Sequence, residues 1–323
     1  FSDISAKNSA LSGSGAAFSS EAFSPFINPA GLALIERQSL SLAYYNLFEG
    51  AFISAVSYAL PLLDAGTVSV SGLLLDAGKI EERDSNNIVT GEFSDSYKSA
   101  VLSYAYAISG IYSVGASFKY INHDFYSVSS SGYGMDLGAS VKLPYNFRIA
   151  ANAVNLVKPV LSYKSGASDS LPLEFHASLG YETAVIENIN GLLRLSADIS
   201  KEEFSNTIGW SSGVSYSVYG AASLMAGISS SGFSAGASLS LFGFTADYAY
   251  IQMPYDFSHR FALSYSFGDD IRALENRIKD CLNEAVKNSK KGKIKLTRLY
   301  PFSASFLKPE TEWSARQTSY GRL

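Results

Sequence analysis

The stretch Ser258–Phe267, SHRFALSYSF, sets the tightest limit on what this chain can fold into. Phe261, Leu263, Tyr265 and Phe267 fall on one parity, and Arg260, Ala262, Ser264 and Ser266 fall on the other. That period of two describes a strand with one bulky apolar face and one small or polar face. With Gly243–Ile251 upstream, it reads as two extended segments joined by a polar, aromatic turn. After Phe267 the alternation stops and a charged helical sequence begins. We read Phe267 as the last residue of an all-β, transmembrane antiparallel β-barrel, with the chain before it built to close against this strand.

Composition fits that reading. Of 323 residues, 17% are charged and 47% hydrophobic, where a water-soluble domain carries roughly 25% charged residues. Yet no segment is uniformly apolar enough for a transmembrane helix. The charge-free windows Ser99–Phe118 and Trp210–Ala246 are dense in Ser, Gly and Tyr and alternate with period two, as a barrel wall does. The chain has 21 Tyr and 20 Phe against 2 Trp, enough rings for interfacial girdles. A single cysteine, Cys281, excludes an internal disulfide and argues against a metal cluster. A net charge of −4 leaves no footprint for nucleic acid. No signal peptide precedes the first residue, so Phe1 is expected to be the mature N-terminus of an exported protein.

Three regions follow. Residues 1–37 do not alternate; they are rich in small residues, glycine and proline, and read as a plug or hatch of compact non-strand structure or as a loop packed elsewhere. Residues 38–267 hold about fourteen alternating segments, from Ser39–Leu47 to His259–Phe267, most near the roughly 9–11 residues that cross a bilayer when tilted. Short turns join alternate pairs, and the longest connections are Asp76–Ser96 and Val157–Pro172. That asymmetry places the short turns, and with an even count both termini, in the periplasm of an outer membrane. In 268–323, Ile271, Leu274, Ile278 and Leu282 recur at helical spacing behind Asp269–Asp270, where negative charge is favourable. The stripe is narrow, so this partner-docking helix is expected to pack on a partner, on itself or under the barrel. A basic linker and an aromatic tail follow, the tail disordered unless a partner orders it.

Parity assigns a lumen lined by small residues and a few charges of both signs: Lys119, Asp136, Arg148, His176, Asp198, Asp247 and Arg260, together with Lys142 and Asn152. Such a lining does not resemble a strongly ion-selective pore, which shows one sign of charge. Asp198 and Asp247 are expected to pair with Lys or Arg across the lumen. Serine is too abundant for a Ser–His–Asp constellation to mean anything, and His123 and His259 are expected near the outer rim, away from His176. No phosphate-binding glycine loop, zinc spacing or EF-hand loop appears, so no enzyme, cofactor or metal is expected.

Four motifs in order bring in a family. The segment GSGAAFSSEAFSPFINPAGLAL, with Asn28, Pro29, Ala30, Gly31 and Leu32, resembles the opening of the PorV/PorQ group of outer-membrane proteins, within the wider FadL-like barrels. GYGMDLGASVKL (Gly132–Leu143), the run NAVNLVKPVLSYKSGASDSLPLEFHASLGYE, and DYAY with SHRFALSYSF are similar to its later strands. The resemblance spans about Ser12 to Gly268 and implies fourteen strands with an N-terminal hatch carrying the Asn-Pro-Ala motif. For the PorV branch it implies a binding and assembly component of type IX secretion. For the FadL branch it implies passive passage of hydrophobic molecules through the barrel. Expected partners are outer-membrane lipid, proteins meeting the periplasmic arm or extracellular loops, and a hydrophobic ligand or cargo segment in the lumen. A purely structural barrel anchoring a surface layer is the third reading.

Overall fold

The first and last strands meet in the computed structural model, which describes residues 4–47, 50–126, 128–163, 166, 168–252, 257–271, 273–274, 276–278 and 280–281. Strand β1 (Gln38–Asn46) pairs with β16 (Phe257–Phe267) in antiparallel register from Gln38↔Phe267 to Tyr45↔Arg260. Between them run β2 (Phe52–Leu62), β3 (Gly66–Arg83), β4 (Val89–Ile108), β5 (Tyr112–Phe125), β6 (Val128–Lys142) and β7 (Phe147–Val157). The wall continues through β10 (Glu174–Ile186), β11 (Gly191–Glu202), β12 (Gly209–Val218), β13 (Ala222–Ser229), β14 (Gly232–Leu241) and β15 (Phe244–Gln252). These fourteen form one closed barrel, and β8 (Val160–Ser162) pairs with β9 (Ser168–Ser170) as a separate hairpin. Closure leaves no unpaired edge, which lets strands cross hydrocarbon. Among the described residues no helix is long and apolar enough to cross a membrane.

The alternation sorts the two faces. Leu40, Leu42 and Tyr44 are exposed on the outside of β1, while Ser39, Ser41, Ala43 and Tyr45 are buried inside. Outward rings gather at two levels. Near the start of β1 and the end of β16 lie Phe244 on Tyr265 (4.3 Å) and Phe147 on Tyr181 (4.9 Å). Toward the opposite, loop end lie Tyr44 on Phe52 (5.8 Å) and Phe233 near Tyr250 (6.2 Å). Two such girdles bound the apolar band of a membrane barrel.

Two connections differ from expectation. The span Asp76–Ser96 is largely ladder: β3 runs 18 residues and β4 runs 20, joined only by 84–88. Charges at Lys79, Glu81, Glu82 and Arg83 hide the strand from a pattern that looks for an apolar face. Beyond the bilayer the ladder needs no such face, and Lys79 and Glu92 pair across it at 2.8 Å. The connection after β7 is not a plain loop either. Its β8–β9 hairpin covers the inner face of β6, where a Cβ at Gly132 would lie 2.8 Å from the Val160 carbonyl oxygen.

Residues 1–275 form one compact unit. A second unit spans 276–323, and its described residues, 276–278, 280 and 281, are helical.

Candidate functional site

The described part of the N-terminal region, from Ile4 onward, fills the lumen. Helix α1 (Ala6–Ala10) is capped by Ser5, whose hydroxyl accepts from Asn8 N–H at 3.2 Å. Three 3₁₀ turns follow, Gly15–Phe18, Ser24–Phe26 and Pro29–Leu34. The last begins at the Asn-Pro-Ala motif. Asn28 is fully buried; its Oδ1 accepts from Ala30 N–H at 3.0 Å and its Nδ2 donates to the Ala139 carbonyl of β6 at 3.3 Å. Asn28 thus caps the turn and fastens it to the wall, and Pro29 sits at the first helical position, where a missing N–H costs nothing. Ala30 and Leu32 are fully buried, and Gly31 lies so close to the Ser19 carbonyl oxygen that a Cβ would approach it to 2.5 Å.

The wall makes room for this plug with glycine and answers its backbone with serine. At Gly115 a Cβ would stand 2.5 Å from the Pro29 carbonyl carbon. At Gly227 it would stand 2.3 Å from that of Leu11, so β5 and β13 touch plug backbone directly. Ser234 donates to the Ala10 carbonyl at 2.8 Å and Ser57 donates to that of Ala22. Ser14 and Ser196 share a hydrogen bond of 2.8 Å. Irregular backbone survives at membrane depth only where protein satisfies it, which is one reason the chain is so rich in serine.

The predicted lumen residues fall into separate groups. Lys119 and Asp136 form a buried ion pair at 2.7 Å, and Asp136 also accepts from Asn155 N–H at 2.6 Å. His176 lies 3.4 Å from both Asp198 and Glu174, and Ser178 donates to Asp198. Asp198 therefore meets histidine and serine rather than the Lys or Arg expected. Asp247 pairs with Lys7 of the plug at 3.6 Å. Arg260 donates to the Ser9 hydroxyl at 2.7 Å and stacks over Tyr45 at 5.0 Å. Arg148 lies over the Phe18 ring at 5.8 Å. His123 lies near the loop end of β5, at the rim expected for it. It is buried on the inner side, between Asp95 and the Tyr163 hydroxyl, each at 2.7 Å. Sequence patterning missed the plug partners Lys7, Ser9 and Phe18, because a region without periodicity carries no parity to read. No group of three or more metal-ligating side chains occurs among the described residues.

Where β1 begins and β16 ends, Arg37 donates to the Gly268 carbonyl at 2.8 and 3.0 Å, and Ile271 N–H donates to the Glu36 carbonyl at 2.9 Å. Asp270 caps the helix that starts there, accepting from Ala273 N–H at 3.0 Å. Ile271, Leu274 and Ile278 are helical, and Leu282 lies outside the described residues.

A cavity of 820 Å³ forms a groove in the outer wall across β12–β16 and β1. Leu42, Leu224, Leu239, Phe261 and Leu263 rim it, with Ala237 and Ala246 between them. An inner cavity of 160 Å³ between plug and wall is lined by Lys7, Glu21, Arg194 and Met225. Ser223 and Ser238, paired across β13 and β14, line both, so the two cavities lie on opposite sides of the wall at this point.

No protein-family model and no curated protein matches this chain. Solved structures do. The TodX monoaromatic hydrocarbon channel, as a deltaS2 mutant, is 13% identical with a TM-score of 0.61 over 82% of this chain and 100% of its own. The Ralstonia pickettii toluene transporter TbuX is 14% identical with a TM-score of 0.57, covering 81% of this chain and 98% of its own. A Pseudomonas aeruginosa FadL homologue is 13% identical with a TM-score of 0.56, covering 82% and 98%. This chain therefore has the fold of the FadL-type barrels, fourteen antiparallel strands closed around an N-terminal plug.

Proposed function

We propose that this chain is a non-enzymatic barrel of the outer membrane, with the start of β1 and the end of β16 on the periplasmic side, that exchanges small hydrophobic molecules between the bilayer and the barrel interior. The observation that carries the reading is the apolar outer groove of 820 Å³ backed by an inner cavity, with Ser223 and Ser238 lining both. Apolar concavities of about 300–1,000 Å³ are typical small-molecule sites. The lumen axis is filled by the plug, so a lateral path between groove and inner cavity is the alternative to the axis. Similar folds described as toluene and monoaromatic hydrocarbon channels support the same direction.

The test is toluene equilibration across proteoliposomes. Filling the groove with A237W and A246W together should slow it at least tenfold, whereas I228W, outward on β13 but outside the groove, should not. Equal rates for all three would sink the proposal.

One observation favours a second reading, a PorV/PorQ-like binding component for secreted or surface proteins of a type IX kind: the chain leaves the barrel at Gly268 and enters a helix capped by Asp270. Deleting 269–323 and comparing co-purifying envelope proteins tests it; unchanged partners in unchanged amounts would remove it.

A further inference from the structure

At the end of the barrel where β1 begins, the inner wall carries a charge arrangement that barrel folding alone does not favour. Lys142 on β6 and Arg148 on β7 stand directly opposite each other in the ladder. Like charges so placed destabilise a sheet. On the next strand Gly180 faces Arg148, and beyond it Arg194 of β11 faces Glu182 of β10. The Phe18 ring lies against Gly180, where a Cβ would come within 2.6 Å of two ring carbons. Arg148 and Arg194 approach that ring at 5.8 and 5.3 Å.

Three cations thus converge on a cavity of 250 Å³ that Ser113 and Ser140 also line. Glu36 lines it too, and the Glu182 carboxylate accepts from Arg194 Nε at 2.6 Å. Lys142, Arg148 and Arg194 against Glu36 and Glu182 leave one positive charge in excess, and Lys142 forms no ion pair among the described residues. Seating Phe18 needs no lysine opposite an arginine. A local conflict of this kind persists where a function offsets it.

We propose that this vestibule is an oxyanion site that takes a phosphate group, either free or on a lipid headgroup. Two guanidinium groups offer forked donors suited to phosphate, the ammonium adds a third charge, and serine hydroxyls complete the donor set. The site is separate from the outer groove and does not depend on what that groove carries.

The test is thermal unfolding of the full chain in a neutral detergent. Sodium phosphate should raise the midpoint above that in sodium chloride of equal ionic strength, since a ligand of the folded state stabilises it. K142Q should raise the midpoint without phosphate, by removing the cross-strand repulsion, and should weaken phosphate binding at least tenfold by calorimetric titration. Dihexanoyl phosphatidic acid against dihexanoyl phosphatidylcholine separates the sources: a shift with the first but not with inorganic phosphate assigns the site to a headgroup. Equal midpoints in phosphate and chloride, together with equal midpoints for the two lipids, would overturn the proposal. So would a K142Q chain that binds as tightly as the unaltered one.

Discussion

Replacing Gly115 with alanine should unseat the plug. The added Cβ would lie 2.5 Å from the Pro29 carbonyl carbon and 2.6 Å from both Ala30 N and Pro29 O. Ordinary contact begins at 3.4 Å, so plug and strand must separate by about 1 Å, and close-packed interiors yield little. All three obstructing atoms are backbone, so no rotamer change relieves them. Overpacking of this kind costs about 1–3 kcal/mol. Separation also stretches the bond from Asn28 Nδ2 to the Ala139 carbonyl, already 3.3 Å long. We expect a loss of about 2–3 kcal/mol in urea unfolding of the detergent-folded barrel, combining overpacking with part of one buried hydrogen bond. Trypsin should also cut sooner at Lys7, which sits on the plug. The matched control is Gly72→Ala on β3, where the new Cβ meets only Val56 Cγ1 at 3.6 Å. If both variants lose the same stability and resist trypsin equally, the plug is not seated on β5 and the role given to the Asn-Pro-Ala motif fails.

Other outcomes follow from single contacts. Asn28→Ala removes a cap and a wall contact and should cost about 1–2 kcal/mol, read as a lower urea midpoint. Lys119→Met leaves Asp136 buried without its ammonium partner and should cost about 3–5 kcal/mol. Adding Asp136→Leu should recover much of that loss, because most of it comes from stranding a buried carboxylate; a double variant no better than the single would contradict this. The Lys158 ammonium holds the Glu203 carboxyl, just past the end of β11, below its ordinary 4.5. A lowered carboxyl stabilises the fold above its unfolded pKa and loses that contribution as pH falls through the folded value. Hydrogen-exchange protection around Leu173 and Glu203 should therefore match at pH 7 and pH 6 and fall only in acid below 4.5.

The wall was legible in the sequence because a bilayer imposes parity. Leu40, Leu42 and Tyr44 against Ser39, Ser41 and Ala43 leave no choice of face. Legibility stopped where the solvent changed. Residues 79–83 pair on as ladder in water, where charge is allowed on either face, so their strand looks like loop. It stopped again inside the barrel. Phe18 packs under two guanidinium groups and Lys7 reaches Asp247, contacts between a stretch without periodicity and strands far away in sequence. Tyr45 shows the limit on single residues: it is aromatic like Tyr44, yet it points inward under Arg260 because register, not hydrophobicity, decides its side.

The serine content has a physical cause that bears on passage through the barrel. A plug made of one short helix and three 3₁₀ turns leaves many backbone groups without partners of its own. Ser57 and Ser234 answer the carbonyls of Ala22 and Ala10, and Ser12 bonds Ser234 at 2.8 Å. A hydrophobic molecule forced along the axis would have to break such bonds and leave buried polar groups unmet, at about 1–3 kcal/mol each. Crossing the wall instead parts the ladder locally, since β13 and β14 pair without a break from Ala222↔Leu239 to Ser229↔Gly232. The outer groove is apolar, and beneath it Ser223 and Ser238 stand opposite each other across β13 and β14 and also line the inner cavity. Enlarging both to leucine should therefore slow toluene exchange while leaving the plug contacts of Ser57 and Ser234 intact. Unaltered exchange in that variant would place the path elsewhere than between β13 and β14.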